Sequence, residues 1–335
     1  MFDSVRFVVS ALLLTLCLCA CGKREITPEE KNKLSELYHA TYQTRNPDEI
    51  DHLADQILKH ANKLPDNIQI KSLIIHAYSA KGFAADIRKD KIRTIEYLSK
   101  AAEKLPEIKD SESYIPLASD IYFVFHHANL DDPVQAEYWL KKMEGLIENA
   151  MISSRYTKGN AEYRRFIQVK HAENIITRVE FLMKQKHKPD EAVKILLPQI
   201  KIWEFRFRRN PVVPLMRGYD LAAELCFQQK NEEDCCSYAE KCLPLAVQFN
   251  QLPEFSDLRL YDLRMKQKKY QPALECCREM LRIKMINNSE MIQLKRKLLI
   301  KAADACKKMG NIQAEKDYLF QAEELNPLLE IHKIK

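Results

Sequence analysis

Six glycines are all that this chain of 335 residues contains. Hairpin turns and phosphate-cradling loops rely on glycine to reach positive φ without a steric penalty. So few of them argue against β-rich folds and nucleotide enzymes. What remains is a helical chain with ample apolar material for a core, 46% of its residues being hydrophobic and 30% charged. The net charge of +6 comes from 53 basic and 47 acidic side chains. That small excess gives no domain-wide basic field of the kind nucleic-acid binders carry, and it reads as a solvated helical surface.

Helix starts are well marked. Thr27-Pro28-Glu29-Glu30 combines a capping threonine, a proline in the first turn and a glutamate at the third position, which predicts a helix to about Tyr42. Asn46-Pro47-Asp48 opens a second, with the apolar stripe Ile50, Leu53, Ile57 and Ala61. It is expected to stop at Lys63-Leu64-Pro65, because proline lacks the donor and clashes with the preceding turn. The ending recurs as Lys104-Leu105-Pro106, 41 residues later. Between them lies the run Leu73-Ile74-Ile75-His76-Ala77-Tyr78, with Gly82 as an expected left-handed cap. Asp90 then caps a helix carrying Ile95, Leu98, Ala101 and Ala102.

Residues 114–127 form the next helix, and Asp131-Asp132-Pro133 starts its partner, with Val134, Ala136, Leu140, Met143 and Ile147. Gly159-Asn160 opens a long helix holding Phe166, Val169, Ile175, Ile176, Val179 and Leu182, and Pro189-Asp190-Glu191-Ala192 starts its partner. Residues 217–227 pair with 232–249, 258–265 with 270–283, and 289–309 with 311–325. The expectation is an all-α fold of about seven antiparallel helix pairs.

The last pair carries the clearest motif. Gly310-Asn311 leads into a helix with Tyr318 and Ala322, closed by Leu325-Asn326-Pro327. This resembles the second half of a tetratricopeptide repeat, although Glu315 stands where that family usually has alanine and Ala314 is one residue early. Tyr270-Gln271-Pro272-Ala273-Leu274 is similar to the same turn. Alanines on the second helices, Ala136, Ala192, Ala273 and Ala314, with Cys235 standing in for another, are separated by 56, 43, 38 and 41 residues. These units are longer than the family's roughly 34 residues. The resemblance covers residues 27–327 and implies a right-handed α-solenoid, with 328–335 as a tail.

Residues 1–20 read as a secretory leader: Arg6, then an apolar run from Phe7 to Leu18 that is shorter than the roughly 20 residues needed to span a bilayer. Leu18-Cys19-Ala20-Cys21 resembles the lipobox of bacterial lipoproteins. The resemblance implies cleavage before Cys21, its lipidation, and residues 21–26 as a short tether. Gly22 lacks the aspartate associated with inner-membrane retention, and Lys23-Arg24 lacks an acidic export tract. Both point to an outer-membrane anchor facing the periplasm.

Seven cysteines remain: Cys226, Cys235, Cys236, Cys242, Cys276, Cys277 and Cys306. The adjacent pairs Cys235-Cys236 and Cys276-Cys277 lie 41 residues apart, in equivalent places on successive second helices. Cysteine fills small positions at tight helix crossings, and an oxidising compartment also permits disulfides between neighbouring helices. Both readings stay open. No Cys-x-x-Cys occurs, which argues against structural zinc. None of the nine histidines stands in His-Glu-x-x-His, and neither a Gly-x-Ser-x-Gly nor a phosphate loop is present. No catalytic residue, metal site or cofactor is expected.

Trp203-Glu204-Phe205-Arg206-Phe207-Arg208-Arg209 alternates aromatic and cationic side chains. Such a cluster can stack bases or sit at an anionic lipid surface; it can equally be a helix end whose arginines complement the terminus while the rings pack. The second reading is preferred from sequence. In tetratricopeptide arrays the first helices of each pair line a groove for a peptide or a partner's helix. That implies Tyr78, Tyr122, His126, Arg217, Tyr219, Arg259 and Asp262 as groove residues. The expected function is a non-enzymatic, lipid-anchored scaffold for an envelope protein or peptide, without nucleic acid. A glycan-binding lipoprotein of the starch-utilisation type and a barrel-assembly lipoprotein are the alternatives, the former disfavoured by only 2 tryptophans.

Overall fold

A computed structural model describes residues 26–153, 156, 161–253, 256, 258–284 and 289–326. The leader, Cys21, Gly159-Asn160 and Pro327 lie outside the described residues. Two compact units divide at Lys186 and His187. Among the described residues there are fourteen α-helices and no strand.

The first unit contains α1 (Pro28–Gln43), α2 (Pro47–Ala61), α3 (Ile68–Ile87), α4 (Lys91–Lys104), α5 (Tyr114–Ala128), α6 (Pro133–Ile152) and α7 (Ala161–Lys184). The second contains α8 (Pro189–Arg206), α9 (Val213–Gln228), α10 (Glu232–Phe249), α11 (Leu258–Lys266), α12 (Tyr270–Arg282), α13 (Ser289–Lys308) and α14 (Ile312–Glu323). Starts follow the expected chemistry. Thr27 and Glu30 form a reciprocal capping box, the Glu30 amide donating to Thr27 Oγ1 at 3.2 Å and the Thr27 amide to Glu30 Oε2 at 2.9 Å. Asn46, Asn67, Asp90, Asp132, Asn231 and Asn311 likewise accept from first-turn amides.

In the first unit the core is a succession of neighbouring clusters. Leu34, Tyr38, Ile50, Ile57 and Leu73 close the first pair onto α3. Ile75, Leu98, Leu117, Ile121 and Phe125 continue from there into α5, and Ala136, Leu140 and Met143 meet Phe181 of α7. Side chains that share a cluster thus come from adjacent pairs, the packing rule of a repeat array. The alanine ruler has a physical basis, since Ala136, Ala192, Cys235 and Ala273 are all buried. Ala314 is only partly buried, and α14 also leaves Ile312 and Phe320 exposed.

Four local expectations are corrected. Gly82 is no cap: α3 runs through it to Ile87, and the left-handed residue is Lys89 at φ 59°. A Cβ on Gly82 would lie 2.7 Å from Leu98 Cδ2, so its missing side chain lets α4 approach α3. The two Leu-Pro endings also differ, because Leu105–Ile108 continues as a 3₁₀ turn whereas α2 stops at Ala61. On α2 the buried stripe uses Ala54 in place of Leu53, and Val134 at the start of α6 is exposed.

Candidate functional site

The first helices α1, α3 and α5, with the α1–α2 turn and Ile50 of α2, enclose a cavity of about 280 Å³. Ile50, Ala80, Phe83, Ile87, Leu117 and Val124 supply its apolar wall. The polar groups are Thr41, Tyr42, Thr44, Arg45, His76, Ser79 and Asp120. Sites for small-molecule ligands and cofactors usually enclose roughly 300–1,000 Å³. A cavity at this lower edge suits one or two side chains.

His76 is the polar centre. The burial pattern of α3 explains its place, for Leu73, His76, Ala77 and Ala80 recur at helical spacing on the buried side. Its Nε2 lies 2.8 Å from Thr41 Oγ1 and its Nδ1 3.3 Å from the Tyr42 hydroxyl. Thr41 Oγ1 already donates to the Tyr38 carbonyl at 2.7 Å. The Thr41 oxygen therefore accepts from Nε2–H, and Nδ1 accepts from Tyr42. This tautomer cannot draw a proton from the threonine, so the pair is a fixed wall and not a nucleophile with its base. The rings of Tyr38 and Tyr42 pack on the imidazole with centroids at 4.3 and 5.1 Å. Burial holds the His76 pKa down at about 4, against a smaller opposing pull from the Asp120 charge. At neutral pH the imidazole is uncharged.

Asp120 is partly neutralised in turn. Lys170 of α7, itself nearly buried, reaches it at 3.3 Å and Glu173 at 3.0 Å. A second buried cation, Lys81, sits between Asp55 at 2.8 Å and Asp51 at 3.3 Å, over the Tyr97 ring at 5.1 Å. Both lysines have carboxylate partners, as nearly buried cations require. Among the described residues no cluster of three His, Cys, Asp or Glu side chains could hold a metal ion.

None of the seven residues named from sequence lines this cavity. Tyr78 and Tyr122 pack into the cluster shared by α3, α4 and α5, where Tyr122 meets Trp139 at 5.8 Å. His126 is buried, its Nδ1 donating to the Ala136 carbonyl at 2.8 Å, and burial lowers its pKa. In the second unit the Tyr219 hydroxyl donates to Glu204 at 2.9 Å, and Lys241 pairs with the same oxygen at 2.7 Å. Arg259 lies exposed over the Phe227 ring at 5.7 Å, and Asp262 pairs with Lys301. Arg217 is half-buried on α9. The seven thus lie on four helices, two in each unit's share of the described residues, away from this cavity.

All seven described cysteines are buried free thiols. Burial pushes Cys235 and Cys277 up to about 12, and Cys226 to about 11. Such thiols are protonated, weak nucleophiles that serve as small apolar groups.

The fold and its cavity define a class: an all-α protein of repeated helix pairs with a pocket lined mainly by its first helices. No family model matches the chain, and no curated protein matches it. Among solved structures it is similar to the apo form of the quorum sensor NprR from B. thuringiensis, at 13% identity over 90% of this chain and 89% of that one, with a TM-score of 0.32. A score that low carries no argument about function.

The sequence reading missed the pocket residues Thr41, Tyr42, His76 and Asp120. Two signals mark Tyr42 and His76 singly, and none marks Thr41 or Asp120. Tyr38 and Tyr42, four apart, share a helix face, and His76 interrupts an otherwise apolar run.

Proposed function

We propose that this chain is a non-enzymatic scaffold, tethered to the bacterial outer membrane through lipid on Cys21, that binds an envelope protein or peptide by taking one of its apolar side chains into the pocket around His76. The observation that carries this reading is the pocket itself, lined mainly by first helices, with six apolar side chains beside hydrogen-bonding groups and the charged Arg45 and Asp120. A partner residue entering it gains burial worth about 25 cal/mol per Å² of apolar surface, and the Tyr42 and Thr41 oxygens keep lone pairs that can accept from an amide of the adjoining backbone. The tether rests on the leader and the Leu18-Cys19-Ala20-Cys21 motif.

A photo-crosslinking amino acid at Thr44, on the pocket wall, tests the binding. In cells it should capture one defined envelope protein, and Ala80→Phe, which fills the pocket, should abolish capture. An unchanged product in the filled variant would sink the proposal. Labelled fatty acid should enter the native chain and not Cys21→Ser; equal labelling of the two would remove the tether.

A further inference from the structure

The basic-aromatic stretch at the end of α8 is only in part the packed helix end that its sequence suggests. Trp203 and Phe207 do turn inward, each 1% exposed, and Trp203 closes on Gly218, where a Cβ would stand 2.9 Å from the ring. Phe205, between them, is 85% exposed, the highest value among the large exposed hydrophobics of the described residues. Helical spacing sets it on one face with Lys201 and Ile202, both exposed, and with Lys194 and Pro198 further up that face. Arg206, Arg208 and Arg209 follow it closely in the chain and are exposed. Among the described residues none of the three has a hydrogen-bond or ion-pair partner. The one acidic group inside the stretch, Glu204, faces away into its pairing with Lys241 and Tyr219. Complementing the helix terminus explains Arg206 at most, since Arg208 and Arg209 lie beyond α8.

We infer that this patch docks the second unit on an anionic phospholipid surface, with Phe205 entering the headgroup–acyl boundary and Arg206, Arg208 and Arg209 gripping phosphates. Its shape favours a membrane over a nucleic acid. A strand needs a groove and successive stacking rings, whereas two of the three rings here are buried and the third projects alone. An isolated protruding ring flanked by guanidiniums matches an interface that is apolar below and phosphate-lined above. Guanidinium geometry suits phosphate, which it binds through paired N–H groups. The inference does not depend on the pocket or on the tether.

The test places a reporter at the contact. The full chain carrying Phe205→Trp is mixed with vesicles of phosphatidylcholine, or of phosphatidylcholine with phosphatidylglycerol, each with brominated acyl chains. The wild-type chain, with Trp139 and Trp203, sets the background. With phosphatidylglycerol, the variant's emission should shift to shorter wavelength and be quenched beyond that background. The effect should fade at high salt and vanish when Arg206→Gln, Arg208→Gln and Arg209→Gln are added. Equal quenching in neutral vesicles, or quenching that survives loss of the arginines, overturns the inference. So does an emission change on adding oligonucleotide without vesicles, which would assign the patch to nucleic acid. Flotation with neutral vesicles reports the amino-terminal tether separately.

Discussion

His76 gives the pocket a pH signature. Its folded pKa of about 4 lies below the ordinary 6.5, so the unfolded chain binds more protons between those values. The fold therefore keeps its full stability above about pH 6.5 and loses the contribution as pH falls toward 4. The separation corresponds to roughly 2–3 kcal/mol by about pH 4.5. Denaturant unfolding of His76→Gln, compared with wild type at about pH 7 and pH 4.5, should show the variant losing that much less on acidification; His126, also lowered by burial, is unchanged between the two chains. Parallel losses would mean that His76 is protonated in the native state. Glycines supply a second contrast. Gly82→Ala should destabilise by about 1–2 kcal/mol, because overpacking against buried Leu98 outweighs the gain in helix propensity. Gly145→Ala, on α6 with nothing within 4 Å of the added Cβ, should stabilise by about 0.5–1 kcal/mol. Thermal melts of the two variants settle both signs.

The helices are joined by a turn that recurs in disguise. Asp90, Asn231, Gln251, Lys269 and Asn311 each donate an amide hydrogen bond to the carbonyl five residues back, at 2.9 Å, behind a left-handed residue. That residue is glycine only at Gly310; elsewhere it is Lys89, Lys230, Asn250 and Lys268. A non-glycine residue pays roughly 1–2 kcal/mol for this conformation. Lys89→Gly, Lys230→Gly and Lys268→Gly, all at exposed positions, should each raise stability by about 0.5–1 kcal/mol after the unfolded-state entropy of glycine is deducted; a fall in melting temperature for all three would contradict the turn assignment. The same disguise explains what could be read in advance. Caps and first-turn prolines such as Thr27-Pro28 and Asp132-Pro133 announce helix starts, because capping chemistry is local. The Gly-Asn signature is legible once in five turns, so the repeats had to be inferred from spacing. Gly82 misled for the converse reason: whether a glycine ends a helix or admits a neighbour depends on Leu98, sixteen positions away. The pocket was hidden still more deeply. His76, Thr41 and Asp120 meet only when α1, α3 and α5 pack together, and no short-range pattern encodes that meeting.

Across the whole molecule the two tryptophans fall one in each compact unit, Trp139 in the first and Trp203 in the second. Each is wired into its own unit's packing. Trp139 stacks on Phe125 at 4.1 Å, within the cluster that contains Leu98, while Trp203 is buried against Gly218. All seven described cysteines lie in the second unit. Because each pair in a repeat array packs on its neighbours alone, a lesion should be felt most where it is made. Gly82→Ala presses on Leu98, and Gly218→Ala presses on the Trp203 ring at a cost of about 1–3 kcal/mol. In a Trp203→Phe background Gly82→Ala should lower the denaturation midpoint reported by Trp139, with a much smaller change in the midpoint that Trp203 reports in a Trp139→Phe background. Gly218→Ala, followed by thiol labelling, should advance exposure of the buried cysteines, whereas Gly82→Ala should leave the labelling curve nearly in place. Equal displacement of every probe by either substitution would show that the described helices unfold as a single cooperative block, and the neighbour-limited packing argued for these pairs would then not govern their stability.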